Sequence, residues 1–351
     1  MSGLGGHMKH IYEDLSLSKE RFKQIIRRAL YGNYKFWEKI DGFNIHLMKV
    51  NGELRFARNK TDLKNGGFGL EEIKNRFSND RVRSIYYDVL SNIGKRDEEF
   101  ILGLLHEWET SFESINAEVV GNGVTNVILY KQSDLILHNI QKWSGKEPFV
   151  VMDLNCSLKG FDSEVSYTMN NQISIESIEK YVDWVFGDAN SVKEFYQFKF
   201  VEYMSKYFPE LMESHETVKL LFGRFFGLDN TNLKEIRKTT LWDIQGVLDK
   251  KTEIIKYCTK ELDKICLRIG TLILEGCSGY RNDGWDEPIE YIKDQLVVVE
   301  LDEVFEERFR NCYFKIFPFE GVVFYEINDD GLLQAYKWTG SFSPVNKALF
   351  S

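Results

Sequence analysis

The chain has 351 residues, 43% hydrophobic and 28% charged, and its 45 basic against 54 acidic residues give a net charge of −9. That length suits one large or two modest domains, and that balance excludes a disordered chain and argues against nonspecific coating of nucleic acid, while leaving room for a local basic groove. No apolar stretch reaches the roughly 18 residues of a membrane span, so no membrane partner is expected.

Met1–His7 resembles an appended leader without an apolar segment, which makes Met8 the expected native start. Ser18 caps an expected helix whose apolar positions are Phe22, Ile25, Ile26, Ala29 and Leu30. Phe43, Ile45 and Leu47 alternate before Asn51-Gly52, and Leu54 and Phe56 follow it. Asn-Gly between two alternating runs is the strongest short hairpin signal. Gly66-Gly67-Phe68-Gly69 lacks the GxxxxGK pattern of a phosphate-cradling loop and reads as a turn before a helix. The runs 117–120 and 149–154 read as buried strands, so the zone from Lys9 to about Asn155 is mainly strands after its first helix. From about 156 to 300 the spacing is helical, over Ile173–Phe186, Val192–Phe208, His215–Phe226 and Asp243–Glu275. The remainder returns to strands, 322–327 and 332–338, around the turn Asn328-Asp329-Asp330-Gly331. The expected architecture is an α+β fold, a mostly β domain of residues 8–155 and 301–351 interrupted by a helical insertion, 156–300. The cysteines contain no CxxC pair and the histidines no HExxH spacing, which argues for reduced cytoplasmic thiols and against structural zinc; Cys258 and Cys266 read as buried small hydrophobes.

A set of short elements then occurs in order. Glu38-Lys39-Ile40-Asp41-Gly42-Phe43-Asn44 is followed by Phe56-Ala57-Arg58-Asn59, Ala117-Glu118-Val119-Val120-Gly121, Phe149-Val150-Val151-Met152-Asp153-Leu154, Glu320-Gly321-Val322-Val323 and Tyr336-Lys337-Trp338. Taken together these resemble the motifs of the lysine nucleotidyltransferases, the ATP-dependent polynucleotide ligases and mRNA capping enzymes. Asn44 two residues after the motif glycine, Glu38 before the lysine and Gly121-Asn122-Gly123 after Glu118 are most similar to phage RNA ligases of the second type. The resemblance implies an antiparallel-β adenylation domain and a reaction on ATP with Mg²⁺ or Mn²⁺. Lys39 would be the nucleophile and Lys337 a catalytic phosphate contact. Glu38, Asn44, Arg58, Glu118, Phe149, Met152, Glu320 and Lys337 would line the nucleotide site, with Glu118 on the ribose and Glu320 on the metal. RNA ends are the implied partner and DNA ends the alternative, in a host-cell cytoplasm if the gene is of phage origin.

The chemistry follows from the residue types. A lysine amine attacks phosphorus only when deprotonated, so its pKa of about 10.4 must fall, which burial and a neighbouring cation achieve; Lys337 is the candidate neighbour. Arg58 shares its strand face with Leu54 and Phe56 and so points inward, toward a nucleotide phosphate or ribose or toward a structural carboxylate. Pairing Ile327 with Leu332 would set Glu320 and Lys337 as diagonal neighbours, either a metal and phosphate pair or an ordinary cross-strand ion pair.

Two positions depart from the motifs. Met152 replaces the expected adenine-stacking aromatic, leaving Phe149, and Ala335 replaces a first lysine before Lys337. With few residues following Lys337, the oligonucleotide-binding barrel usual in DNA ligases and capping enzymes is not expected. Lys256, Lys260, Lys264 and Arg268 recur every four residues as a basic stripe about 18 Å long. It is either a track for a phosphate backbone or a solvated face laced with Glu253, Glu261 and Asp263. The expectation is an ATP-dependent RNA ligase; a DNA ligase or a non-catalytic nucleotide-binding member are the alternatives.

Overall fold

The structure, a computed structural model, describes residues 8–40, 42–77, 79–106, 112–120, 133–143, 148–159, 164–169, 174–229, 234, 236–237, 244–278, 321–328 and 331–340. Asp41, Gly121-Asn122-Gly123, Cys312 and Glu320 lie outside the described residues. The fold is α+β, with helices set against a large antiparallel sheet.

The strands in chain order are β1 (Phe36–Glu38), β2 (Phe43–Val50), β3 (Glu53–Ala57), β4 (Phe112–Val120), β5 (Asp134–Trp143), β6 (Pro148–Ser157), β7 (Glu164–Tyr167), β8 (Cys277–Ser278), β9 (Gly321–Ile327) and β10 (Leu333–Thr339). Their order in the sheet is β3-β2-β4-β5-β6-β10-β9-β1-β7-β8. The Asn51-Gly52 hairpin forms as read: Val50 pairs with Glu53, and both turn residues have positive φ, 52° and 80°, which is the backbone of a two-residue primed turn. β6 and β10 meet at the single pair Leu333 and Val150, and further along β10 the Lys337 N–H donates instead to the Lys9 carbonyl. The sheet therefore divides into two halves, β3-β2-β4-β5-β6 and β10-β9-β1-β7-β8.

The first half has two unlike faces. Ile45, Leu47, Ile115, Ala117, Val119, Leu135, Leu137 and Ile140 form a buried apolar face. It packs on Tyr86, Val89 and Leu90 of helix Asp80–Leu90 and on Ile101 of helix Lys95–Leu104. The opposite face carries Asn44, His46, Ser114, Asn116, Glu118 and Asn139. In the second half, Phe36, Phe324, Tyr336 and Trp338 build an aromatic layer, with Phe324 stacked on Trp338 at 5.8 Å.

The chain divides into two compact units. One comprises Met1–Lys9, Gly32–Asn170 and Ile269–Ser351 and holds the sheet; the other comprises His10–Tyr31 and Asn171–Arg268. The second unit includes helix α1 (Lys19–Leu30), whose N-cap Ser18 accepts the Arg21 N–H and whose buried residues are those expected. Phe22 of α1 meets Phe186, and Phe186 meets Phe195, at 5.4 and 5.6 Å between ring centroids. Helices Ile175–Phe186, Val192–Tyr207 and His215–Phe225 and the long helix Lys251–Gly276 follow the sequence reading closely. Cys258 and Cys266 are buried in it.

Several expectations are corrected. Residues 60–104 are not strands but contain helices Lys60–Lys64, Ile73–Arg76, Asp80–Leu90 and Lys95–Leu104. The apolar set Val82, Ile85, Tyr86, Val89 and Leu90 has helical spacing, which fits the observed helix. β5 is a strand that the sequence does not announce, and β7 and β8 are strands inside the zone that reads as helical. The run 149–154 is a strand, yet Val151, Met152 and Asp153 are exposed. Ile327 pairs with Leu333 rather than Leu332, a slip of one residue produced by a turn in which Asn328 bonds Leu332 and Gly331 takes φ +75°. Lys337 therefore faces Val323, and the diagonal placement of Glu320 beside Lys337 loses its premise.

Two substitutions test the packing. Leu137→Ala should destabilise the protein by about 2–5 kcal/mol, and Ser18→Ala by about 1 kcal/mol; urea unfolding midpoints read both, and a Leu137→Ala midpoint equal to wild type would contradict the two-faced sheet.

Candidate active site

Lys39 follows the last residue of β1, and its N–H donates to the Gly321 carbonyl at 2.8 Å, so the ladder with β9 continues to it. Strand alternation gives Lys39 the face of Trp37, which in turn shares a row with Val323 and Lys337. The next row holds Lys39, Gly321 and Thr339. A Cβ at Gly321 would sit 2.4 Å from the Trp338 carbonyl oxygen, so only glycine fits between Lys39 and Thr339. Lys337 is almost fully buried. This face turns toward β5 and β6. Tyr325 packs edge-on against Trp37 at 5.3 Å, and its hydroxyl accepts from Asn139 Nδ2 and donates to the His138 carbonyl, each at 3.3 Å.

Glu118 stands on the facing half-sheet, opposite Asn44 in register. Its Oε2 accepts the Gly42 N–H at 3.0 Å. A Cβ on Gly42 would lie 2.7 Å from the Val119 carbonyl oxygen, so the glycine of the Lys-x-Asp-Gly string is what lets that backbone reach the carboxylate. Asn44 donates its Nδ2 to Asn116 Oδ1 at 2.6 Å, while its carbonyl accepts the Tyr86 hydroxyl at 2.9 Å.

Arg58 follows β3 and lies over the rings of Phe77 and Tyr86, at 5.1 and 6.0 Å. Those two rings stack at 4.6 Å. The Tyr86 hydroxyl is raised above its ordinary range chiefly by burial, against which Arg58 pulls it down while Glu118 pushes it further up. The Tyr86 hydroxyl thus feels both Arg58 and Glu118, while its hydrogen bond goes to the Asn44 backbone. The inward placement read for Arg58 holds.

The residue that the sequence does not offer is His138. β5 carries an irregularity between Leu137 and Asn139, where Asn116 pairs with Asn139 and Ala117 with Leu137, so His138 is the extra residue of a β-bulge. Its side chain is 7% exposed, and Nε2 lies 3.9 Å from Glu118 Oε1, beyond hydrogen-bond distance. Among the described residues Nε2 has no hydrogen-bond partner. Burial, reinforced by the nearby Lys39 ammonium, lowers its pKa to about 4. His46, behind it, is lowered to about 3 by burial and by His138, and its Nδ1 contacts Ser114 Oγ at 3.0 Å. The bulge breaks the alternation that would expose β5 as a strand, and with it hides His138 from a reading by periodicity.

Other expected site residues stand elsewhere. Glu38 lies in the row of Val322 and Trp338, on the face away from Lys337, and is buried there. Phe149 pairs with Lys142 and Met152 with Ile140, a core residue, so Met152 lies on the apolar side of β6 and not on the side of Glu118. The row of Glu118 crosses β5 at Ile136 and β6 at Ser157, which places Phe149 about 26 Å along the strand. By register, then, neither Phe149 nor Met152 shares the row of Glu118. For a divalent cation, the assigned ligand Glu320 is outside the described residues, and among the described residues no group of three or more His, Cys, Asp or Glu side chains could hold a metal ion. Lys256, Lys260, Lys264 and Arg268 belong to the second unit and are exposed. Lys264 pairs with Glu261 at 3.2 Å, whereas the other three have no ion pair among the described residues. No helix among the described residues is long and apolar enough to cross a membrane.

No family model and no curated protein matches the chain. Among solved structures it is similar to one from Aquifex aeolicus that is provisionally described as an ATP-dependent DNA ligase. The TM-score is 0.21 at 10% identity, covering 98% of this chain and 84% of that one. So low a TM-score gives the likeness no weight, and function rests on the site itself.

The two buried histidines set an acid limit. Each is depressed in the folded state relative to an unfolded value of about 6.5, so between that value and its folded pKa the unfolded chain binds the extra proton. Stability is complete above about pH 6.5 and falls as pH drops, by about 1.4 kcal/mol per pH unit for each histidine. Thermal melts from pH 7.5 to 4.5 should show this decline, and His46→Gln should make it shallower; an equal slope in both proteins would exclude His46 as a cause.

Proposed function

We propose that the chain is an ATP-dependent polynucleotide ligase that transfers AMP to Lys39 and then to a 5′-phosphate end, with RNA as its substrate. The observation that carries the reading is the company of Lys39. Glu118 accepts the backbone N–H three residues after it, neutral His138 feels its charge, Lys337 shares its face of the half-sheet, and Arg58 stands at the end of β3 beside Tyr86, whose hydroxyl also feels Glu118. Those groups fit a nucleotide: cations for phosphates, and a carboxylate and a neutral imidazole for hydroxyls.

In the first step the unprotonated Lys39 Nζ attacks the α-phosphorus. A P–N bond forms, the bond to the β-phosphate oxygen breaks, pyrophosphate leaves, and the amine gives a proton to solvent. A 5′-phosphate oxygen then attacks the same phosphorus and releases the lysine, whose nitrogen takes up a proton from solvent, and a 3′-hydroxyl, giving its proton to solvent, finally displaces AMP to seal the strand. Arg58 and Lys337 stabilise charge on the phosphoryl oxygens as it is redistributed. A bound Mg²⁺ or Mn²⁺ supplies further charge neutralisation on the phosphates. RNA is favoured over DNA by Asn44, the feature shared with the RNA ligases. The exposed stripe Lys256, Lys260, Lys264 and Arg268 is the helical unit's binding surface for the polynucleotide backbone.

A non-catalytic nucleotide-binding protein is the second reading, favoured by the absence of Phe149 and Met152 from the Glu118 side of the sheet. ATP labelled at the α-phosphate, with Mg²⁺ and a denaturing gel, separates the two. Wild type should retain label, Lys39→Ala none, and Arg58→Ala should slow labelling by about 10- to 100-fold, the worth of a charge-assisted hydrogen bond. Wild-type protein free of bound AMP that takes no label would establish the second reading. Nicked RNA and nicked DNA then decide the substrate. Separately, Lys256→Glu with Lys260→Glu should flatten the salt dependence of single-stranded RNA binding, by about 0.7 in log–log slope for every phosphate that a lysine no longer neutralises; an unchanged slope makes the stripe a solvated face.

A further inference from the structure

A buried polar atom without a partner is uncommon, because it forfeits water without gaining a bond. His138 Nε2 is such an atom among the described residues, on a side chain only 7% exposed. A bulge in β5 aims that side chain at Glu118, and bulges that re-aim a side chain recur beside functional sites. The gap of 3.9 Å between Nε2 and Glu118 Oε1 is too long for a direct bond. It is the separation across which one more polar group can touch both.

The chemistry of the two edges defines that group. Glu118 is an acceptor only, and its other oxygen is already engaged by the Gly42 N–H. A neutral imidazole offers one donor and one acceptor. A phosphate, which only accepts, would gain nothing from the carboxylate and be repelled by it. A hydroxyl donates its one proton to the carboxylate and accepts from the imidazole N–H, and the second hydroxyl of a vicinal diol brings a further proton for the carboxylate or for an unprotonated ring nitrogen.

We propose that His138 is a specificity-determining residue of the nucleotide site, its Nε2 bonding a hydroxyl of the ribose diol alongside Glu118, so that ribonucleotides are selected over deoxynucleotides in the transfer to Lys39. This rests on the ligase reading above. His138 adds recognition without adding charge, which leaves the phosphates to Arg58, Lys337 and Lys39.

The test compares initial rates of Lys39 labelling by α-labelled ATP, 2′-deoxyATP and 3′-deoxyATP in wild type, His138→Ala and His138→Gln, each checked for a cooperative thermal melt. Wild type should favour ATP over at least one deoxy analogue by about tenfold, near the upper worth of one neutral hydrogen bond. His138→Ala should erase that preference by slowing ATP while leaving the disfavoured analogue within about twofold of wild type, and His138→Gln should restore part of it. Equal wild-type rates with all three nucleotides overturn the proposal without any variant, as does a preference that survives in a folded variant or a loss that is uniform across nucleotides. A wild type labelled by no nucleotide overturns the ligase reading itself, a result distinct from any of these.

Discussion

The half-sheet β2-β4-β5 has to satisfy two opposite demands, and the rest of the first unit is arranged around that. One face is aliphatic and sealed by the helices of residues 80–104. The other is lined by His46, Ser114, Asn116, Asn139 and Glu118, of which His46 and Ser114 are fully buried. Burying polar groups is costly unless they bond one another. Pairs such as His46 with Ser114 and Asn44 with Asn116 offset that cost. A slip of one residue would exchange the faces, so the apolar core also fixes where the polar groups stand. The position of Glu118 relative to Asn44 and Gly42 is therefore a consequence of core packing, which makes a pre-organised site cheap to maintain once the core has formed.

Close backbone approach completes that arrangement. Gly42 brings an N–H to Glu118 where any side chain would collide with β4, and Gly321 keeps the row between Lys39 and Thr339 open. Gly270, at the end of the long helix, lies so near Thr339 that a Cβ would sit 2.2 Å from its carbonyl oxygen. Three glycines thus set the spacing of backbone elements around β9 and β10 and the Lys-x-Asp-Gly turn. Substitutions there would act first on geometry and only through it on chemistry.

Much of this is legible in the sequence where periodicity and turn chemistry are unambiguous. Asn51-Gly52 locates a hairpin to the residue, Ser18 and its apolar stripe locate α1, and the helices after 174 come close to their observed spans. Arg58 is readable as inward because its strand alternates cleanly. Counting fails wherever the ladder is irregular. The bulge at His138 interrupts alternation in β5, so neither the strand nor its histidine stands out. Two register irregularities between β5 and β6 move Phe149 and Met152 to the side of the sheet away from Glu118. The turn after Ile327 is set by the positive φ of Gly331 and the Asn328 pairing, details a composition signal does not contain, and one residue of error there exchanges the neighbours of Lys337.

The electrostatics of the site also follow from burial more than from composition. The chain is acidic overall, yet Lys39 and Lys337 share one face of β1, β9 and β10. A protonated histidine among them would add repulsion in a medium that screens it poorly. Burial and Lys39 together keep His138 neutral at physiological pH. Its neutrality lets it sit beside a cation at little electrostatic cost, and it retains a donor and an acceptor for a ligand. Charge is thereby reserved for the groups suited to phosphates, while the bulged strand supplies an uncharged polar group next to a carboxylate. Two kinds of recognition can then share one site without opposing each other.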